Sequence, residues 1–188
     1  MTRIAIFASG SGTNAENIIR YFQNSKSASV VLVVSNKEDA YVHHRAKDLG
    51  VESVTFSKSD FCNTDKVPEY LLQKGIDFIV LAGFLLKVPA NLLHVYPDKI
   101  INIHPALLPK HGGKGMYGDN VHKAVIDAKD SESGITIHYV NENYDEGAVI
   151  FQAKCPVLPT DTYEDVAKKV HTLEYKHFPA VIDKLLKD

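Results

Sequence analysis

Three places along the chain gather residue types that could do chemistry. The first is Gly10-Ser11-Gly12-Thr13-Asn14, which follows an apolar run and precedes residues at helical spacing. Glycines there let a ligand reach the free backbone N–H groups of a helix N-terminus, an arrangement suited to phosphate or another anion. The stretch lacks the full GxGxxG spacing, since Ala15 and Glu16 follow Asn14, and it lacks the GK[ST] of a P-loop. A tight strand-to-helix turn without a ligand is the plain alternative. The second place is Ile101-Asn102-Ile103-His104-Pro105. Alternation puts Asn102 and His104 on one side of a strand whose isoleucines call for burial. An amide and an imidazole at the carboxyl end of such a strand can meet a ligand, and a buried, internally bonded histidine is the alternative. The third place is Asp145 in NENYDEG, which by itself reads as a turn former. His171 and Glu174 share one face of a helix, but Tyr175 stands where HxxEH needs its second histidine. The adjacent His43 and His44 cannot face one ligand together, so no metal site is read.

Short apolar runs must carry these residues. Arg3 to Ala8, Val30 to Val34, Val51 to Phe56, Asp77 to Ala82 and Ile100 to His104 read as strands. Between them fall helical patterns: one from about Ala15, one over Ala40 to Leu49 closed by Gly50, and one over Lys66 to Lys74 closed by Gly75. Pro89 to Val95 is a short helix, Pro105 to Gly118 a loop, and residues 120–128 a further helix. Gly134 to Val140 and Ala148 to Val157 alternate well and form an antiparallel pair across NENYDEG. Tyr163 to Leu186 is a long amphipathic helix with Val166, Val170, Leu173, Val181 and Leu185 on one stripe, bent locally at Pro179. Strands alternating with helices imply right-handed βαβ units. The expected architecture is α/β and Rossmann-like: a mostly parallel sheet, helices on both faces, and a late antiparallel strand pair.

Composition narrows the classes of function. With 188 residues, 45% hydrophobic and 23% charged, the chain suits a single globular domain over 1–188. A net charge of -2 argues against a protein that lives on phosphate neutralisation along a duplex. Cys62 and Cys155 form no CxxC or Cys/His pattern, which suits a reducing, cytoplasmic setting. The opening MTRIAIFASGSG lacks the shape of a signal peptide, and no apolar run approaches the roughly 20 residues of a membrane span. Neither nucleic acid nor membrane is an expected partner.

GSGTN after the first strand, LAGF at 81–84, NIHPALLP at 102–109 and YDEG before a late strand resemble, in that order, the folate-dependent formyltransferases. The resemblance covers essentially the whole chain. NIHP…LLP is shared with the enzymes that formylate methionyl-tRNA or sugars and with formyltetrahydrofolate deformylase. The glycine loop with Asn14 and the compact length point to the branch that formylates glycinamide ribonucleotide in purine synthesis. A tRNA formyltransferase would add a C-terminal domain and the deformylase an N-terminal one, neither of which is expected here. The competing readings are a deformylase-like hydrolase and a non-catalytic folate- or nucleotide-binding module.

The resemblance implies direct transfer of formyl from 10-formyltetrahydrofolate to the amine of glycinamide ribonucleotide, with no metal. It sets Asn102, His104 and Asp145 on the catalytic positions. An oxyanion would be stabilised by the Asn102 N–H and a protonated His104, and Asp145 would orient or charge-pair with the imidazole. A carboxylate beside it should then lift His104 above its ordinary ~6.5. Gly10, Ser11, Gly12, Thr13 and Asn14 would take the substrate phosphate, and His171 and Glu174 the rest of the ribonucleotide. Leu85, Leu86, Val88 and Leu93, with the backbone of Asn141, Glu142, Asn143, Tyr144 and Asp145, would line the folate pocket. A cis peptide at Leu108–Pro109 and a monomer or weak dimer are also expected.

Overall fold

The computed structural model describes residues 1–187. Five short apolar runs form parallel strands: β1 (Thr2–Phe7), β2 (Ala28–Ser35), β3 (Glu52–Thr55), β4 (Phe78–Leu81) and β5 (Ile100–His104). Then come β6 (Glu132–Tyr139), antiparallel to β5, and β7 (Val149–Pro156), antiparallel to β6. The sheet runs β3-β2-β1-β4-β5-β6-β7. Its central strands lack polar alternation because both faces are covered, and every residue of β4 is buried.

The helices are α1 (Thr13–Phe22), α2 (Val42–Asp48), α3 (Lys58–Asn63), α4 (Lys66–Gln73), α5 (Ala90–Val95), α6 (Asp119–Asp127) and α7 (Tyr163–Leu185). Side chains of α1, α2, α6 and α7 pack into the core on one face of the sheet, and those of α3, α4 and α5 into the core on the other. The sequence reading leaves α3 unassigned. Its signal is the pair Ser57 and Asp60: the Ser57 Oγ accepts the Asp60 N–H at 3.1 Å, and Asp60 Oδ2 accepts the Ser57 N–H at 2.9 Å. This reciprocal cap sets a one-and-a-half-turn helix whose Phe61 meets the rings of Phe7, Phe56 and Phe84.

The stripe on α7 differs from the one expected. The fully buried row is Val166, Val170, Glu174, Phe178 and Ile182, while Leu173, Val181 and Leu185 flank it half-buried. Steps of four place a glutamate in the middle of an apolar row. The helix continues through Pro179 to Leu185.

Strand order reverses about β1, which leaves a crevice at the carboxyl ends of β1 and β4. Gly10–Asn14 leaves β1 there, Ala82–Leu85 leaves β4, and His104 ends β5 beside them. The Leu108–Pro109 peptide is cis, as the resemblance implies. On the far side, pairing of β6 with β7 slips between Ile137 and His138, a bulge that re-aims the following side chains.

The NENYDEG turn closes over that bulge at a glycine. A Cβ on Gly147 would lie 1.6 Å from the Tyr139 carbonyl oxygen, a contact with backbone that no side-chain motion relieves. Gly147→Ala should therefore displace the turn that carries Asp145. Overpacking of this kind costs about 1–3 kcal/mol, so thermal melts should show a midpoint lowered by several degrees. An unchanged midpoint would mean that the turn is loosely held.

Candidate active site

The glycine loop between β1 and α1 is shaped from behind by α2. Gly12 has φ 74 and lies against Val42, where a Cβ would come within 2.4 Å of Val42 Cγ2 and 2.9 Å of its Cα. Three successive carbonyls of the loop are each met by a donor: Gly10 by the Val42 N–H at 3.1 Å, Ser11 by Arg45 Nε at 2.8 Å, and Gly12 by the Glu16 N–H at 2.9 Å. The first N–H groups of α1 have no carbonyl within their own helix, and they open this end of the cleft to negative charge.

Asn102 and His104 stand together at the end of β5, as alternation requires, and the late strand pair brings Asp145 to them. His104 Nδ1 lies 3.5 Å from Asp145 Oδ2, and Nε2 lies 2.8 Å from the His111 carbonyl. Asp145 also accepts the Gly113 N–H at 2.9 Å, so the carboxylate pins the glycine-rich loop. His138 joins from β6. Its Nδ1 is 2.8 Å from the Tyr139 carbonyl and so carries the proton, which leaves Nε2 to accept from Asn102 Nδ2 at 3.1 Å. The bond fixes the face of the Asn102 amide and leaves its second Nδ2 hydrogen for the cleft.

Burial decides the charge on His104, and the expectation of an elevated value is overturned. The residue is 3% exposed. Loss of hydration pushes the imidazole below its ordinary value of 6.5, and the opposing pull of the Asp145 carboxylate does not offset it. His104 is therefore neutral at pH 7. The sequence located the carboxylate but carried no measure of depth.

Two cavities meet at these residues. The larger, about 610 Å³, runs from Gly10–Asn14 past His104 to Gly113–Asp119, with His122, His171 and Glu174 along its wall. The smaller is a narrow slot of about 70 Å³, walled by Leu81, Phe84, Leu86, Val88 and Val140 with Asn141 and Asn143. Asn102, Asp145, Phe84 and Tyr144 line both. Glu174 is 4% exposed and holds the wall together, accepting from Asn14 Nδ2 at 2.9 Å and pairing with His171 Nδ1 at 2.8 Å. That bond raises the His171 imidazole above its ordinary value. Asn14 Oδ1 and His122 Nδ1 are buried there without a partner among the described residues, as polar atoms awaiting a ligand would be.

Residues 2–182 match the Formyl transferase family. The chain belongs to that family. It is 40% identical over 186 residues to the chloroplastic phosphoribosylglycinamide formyltransferase of Arabidopsis thaliana, with 96% of this chain and 64% of that protein covered. It thus spans under two thirds of the plant protein. To the phosphoribosylglycinamide formyltransferase of Haemophilus influenzae it is 38% identical, over 97% of this chain and 86% of that one. Glycinamide ribonucleotide transformylase 1 from Geobacillus kaustophilus superposes with a TM-score of 0.90 at 35% identity, over 99% of each chain.

Against this formyl transferase fold, most residues singled out from sequence converge. Gly10, Ser11, Gly12, Thr13, Asn14, Asn102, His104, Asp145, His171 and Glu174 all line the large cleft. Leu86, Val88, Asn141, Asn143 and Tyr144 line the slot. Three do not fall where expected. Leu85 faces the large cleft, its N–H donating to Ser9 Oγ at 2.9 Å. Leu93 packs against the core beneath α5, and Glu142 is exposed on the turn. Sequence reasoning missed His138 and His122. The one breaks the apolar alternation of β6, and the other sits buried in the first turns of α6. Among the described residues no group of three His, Cys, Asp or Glu could hold a metal ion, and no helix is long and apolar enough to cross a membrane.

Titration follows from the burial. NMR should find His104 below 6.5, and Asp145→Asn should lower it further by removing the one carboxylate that favours its charge. His122 is likewise lowered, by burial first and by neighbouring His171. For both, the stability contribution is complete above about 6.5 and is lost as pH falls through the lowered folded value. Urea midpoints should accordingly decline on acidification below 6.5. A His104 midpoint above 6.5 would overturn the role given to burial.

Proposed function

We propose that this formyl transferase moves the formyl group of 10-formyltetrahydrofolate onto the amine of glycinamide ribonucleotide, a step of purine synthesis. The observation that carries the reading is the junction of the two cavities at Asn102 and Asp145, with His104 beside them. A phosphate-ready loop closes one end, as a ribonucleotide needs, and an apolar slot edged by Asn141 and Asn143 suits a flat heterocycle at the other. The names of the relatives at 38–40% identity agree with glycinamide ribonucleotide as the formyl acceptor. A hydrolase would have no phosphate for Gly10–Asn14 to hold.

The folate supplies the activated formyl group, and the chain supplies donors, a proton acceptor and a counter-charge. The free Nδ2 hydrogen of Asn102 is the donor for negative charge developing on the formyl oxygen. His104, neutral before reaction, can take at Nδ1 the proton that the attacking amine gives up. Its Nδ1 already faces Asp145 at 3.5 Å, so the imidazolium forms beside a carboxylate and its charge is neutralised where it arises. The proton can then pass to the nitrogen that leaves. Glu174 and His171 face the ribonucleotide between its phosphate and its amine.

Formyl transfer should require glycinamide ribonucleotide, measured as folate product released with and without it. Asn102→Ala and His104→Ala should each lower turnover by about ten- to a thousand-fold, with much smaller changes in substrate binding. Near-normal turnover in His104→Ala would refute its role. Crystals soaked in sulfate should show the anion against the backbone N–H groups at 12–14. An empty loop at high sulfate would count against the phosphate assignment.

A further inference from the structure

His104 has two ring nitrogens, and the chemistry above requires Nδ1 to be the bare one. A carbonyl only accepts, so the His111 carbonyl at 2.8 Å keeps the proton on Nε2 and leaves Nδ1 open toward Asp145. That carbonyl is held by unusual backbone. His111 has φ 54, a left-handed conformation that residues with a Cβ adopt at a cost. Something must over-determine it, and the ring of His111 does so from the other side of the loop.

His111 Nε2 lies 2.6 Å from Asp130 Oδ2, with both side chains 15% exposed. Asp130 Oδ1 takes Lys110 Nζ at 3.0 Å, but that lysine is 69% exposed. Asp130 is itself fixed by the end of α6, where its N–H reaches the Val125 carbonyl at 3.2 Å. The His111 and Lys110 partners hold the Asp130 carboxyl below the usual carboxylate range, so it is charged at neutral pH. Neither His111 nor Asp130 lines the reaction cleft. They face a separate cavity behind the loop, with Gln152 and Lys154.

We propose that the His111–Asp130 pair is a positioning device for His104: by anchoring the His111 ring it aims the carbonyl that keeps His104 in its Nε2–H tautomer. This rests on the reading of His104 as proton acceptor. His111 and Asp130 are positioning residues; they act through His104.

The test is Asp130→Ala, with Lys110→Met as the comparison that keeps the pair. In Asp130→Ala, kcat should drop by about ten- to a hundred-fold, the scale on which a misplaced group acts. KM for either substrate should stay within about twofold. Nitrogen-15 NMR of His104 in the free enzyme should move from the Nε2–H pattern toward a mixture of tautomers. Lys110→Met should leave both readouts as in the wild type. Should Asp130→Ala not fold, Asp130→Asn keeps the shape and a weaker acceptor, and should move both readouts the same way by less. Restoring a residue at ease with positive φ, His111→Asn, should recover more activity than His111→Ala. An unchanged His104 tautomer in the Asp130 variants would overturn the proposal, whatever happens to kcat. A shifted tautomer with unchanged kcat would uphold the positioning and overturn instead the part given to His104 in the reaction.

Discussion

The Asp145 carboxylate is where three distant parts of the chain meet. It faces His104 at the end of the parallel sheet, His138 on the antiparallel strand beside it, and the N–H of Gly113 in the glycine-rich loop. Each of those partners is held in turn by something else: His104 by a carbonyl, His138 by its own strand, Gly113 by a loop that returns to α6. A half-buried anion of this kind loses hydration, and the donors around it offset that cost. The extra residue of β7 at the slip in its pairing with β6, and the closely packed Gly147, shape the turn that carries Asp145.

The opposed demands on His104 follow from this placement. Burial excludes water and holds the ring neutral, while the carboxylate makes the charged ring tolerable once a proton arrives. The two effects act at different moments. One sets the resting state, and on the proposed mechanism the other lowers the energy of the imidazolium that turnover would form.

Much of this was legible in the residues. Unbroken apolar runs marked the central strands because both of their faces are covered, and glycines 50 and 75 marked helix ends at positive φ. Asn102 and His104 declared themselves as polar residues in a run of isoleucines. Other features were hidden for physical reasons. The cap of α3 uses aspartate in place of the more familiar glutamate, over a helix too short to show periodicity. Asp145 looks like any turn residue until the sheet is assembled, and the depth that sets the charge on His104 belongs to the assembled fold alone. Glu174 was singled out for its spacing from His171. Its place in the middle of the buried row of α7 required the rotation of that helix, which packing against α1, α6 and the sheet decides.

The loop behind α1 has a further consequence. Its three carbonyls at Gly10, Ser11 and Gly12 are all occupied by donors from α1 and α2. What the backbone leaves for a visitor is the N–H groups at the start of α1, and acceptance falls to side chains such as the Asn14 amide oxygen, which has no partner among the described residues. Because α2 provides two of those donors from outside the cleft, changes at Val42 or Arg45 can retune what the cleft admits without ever touching it.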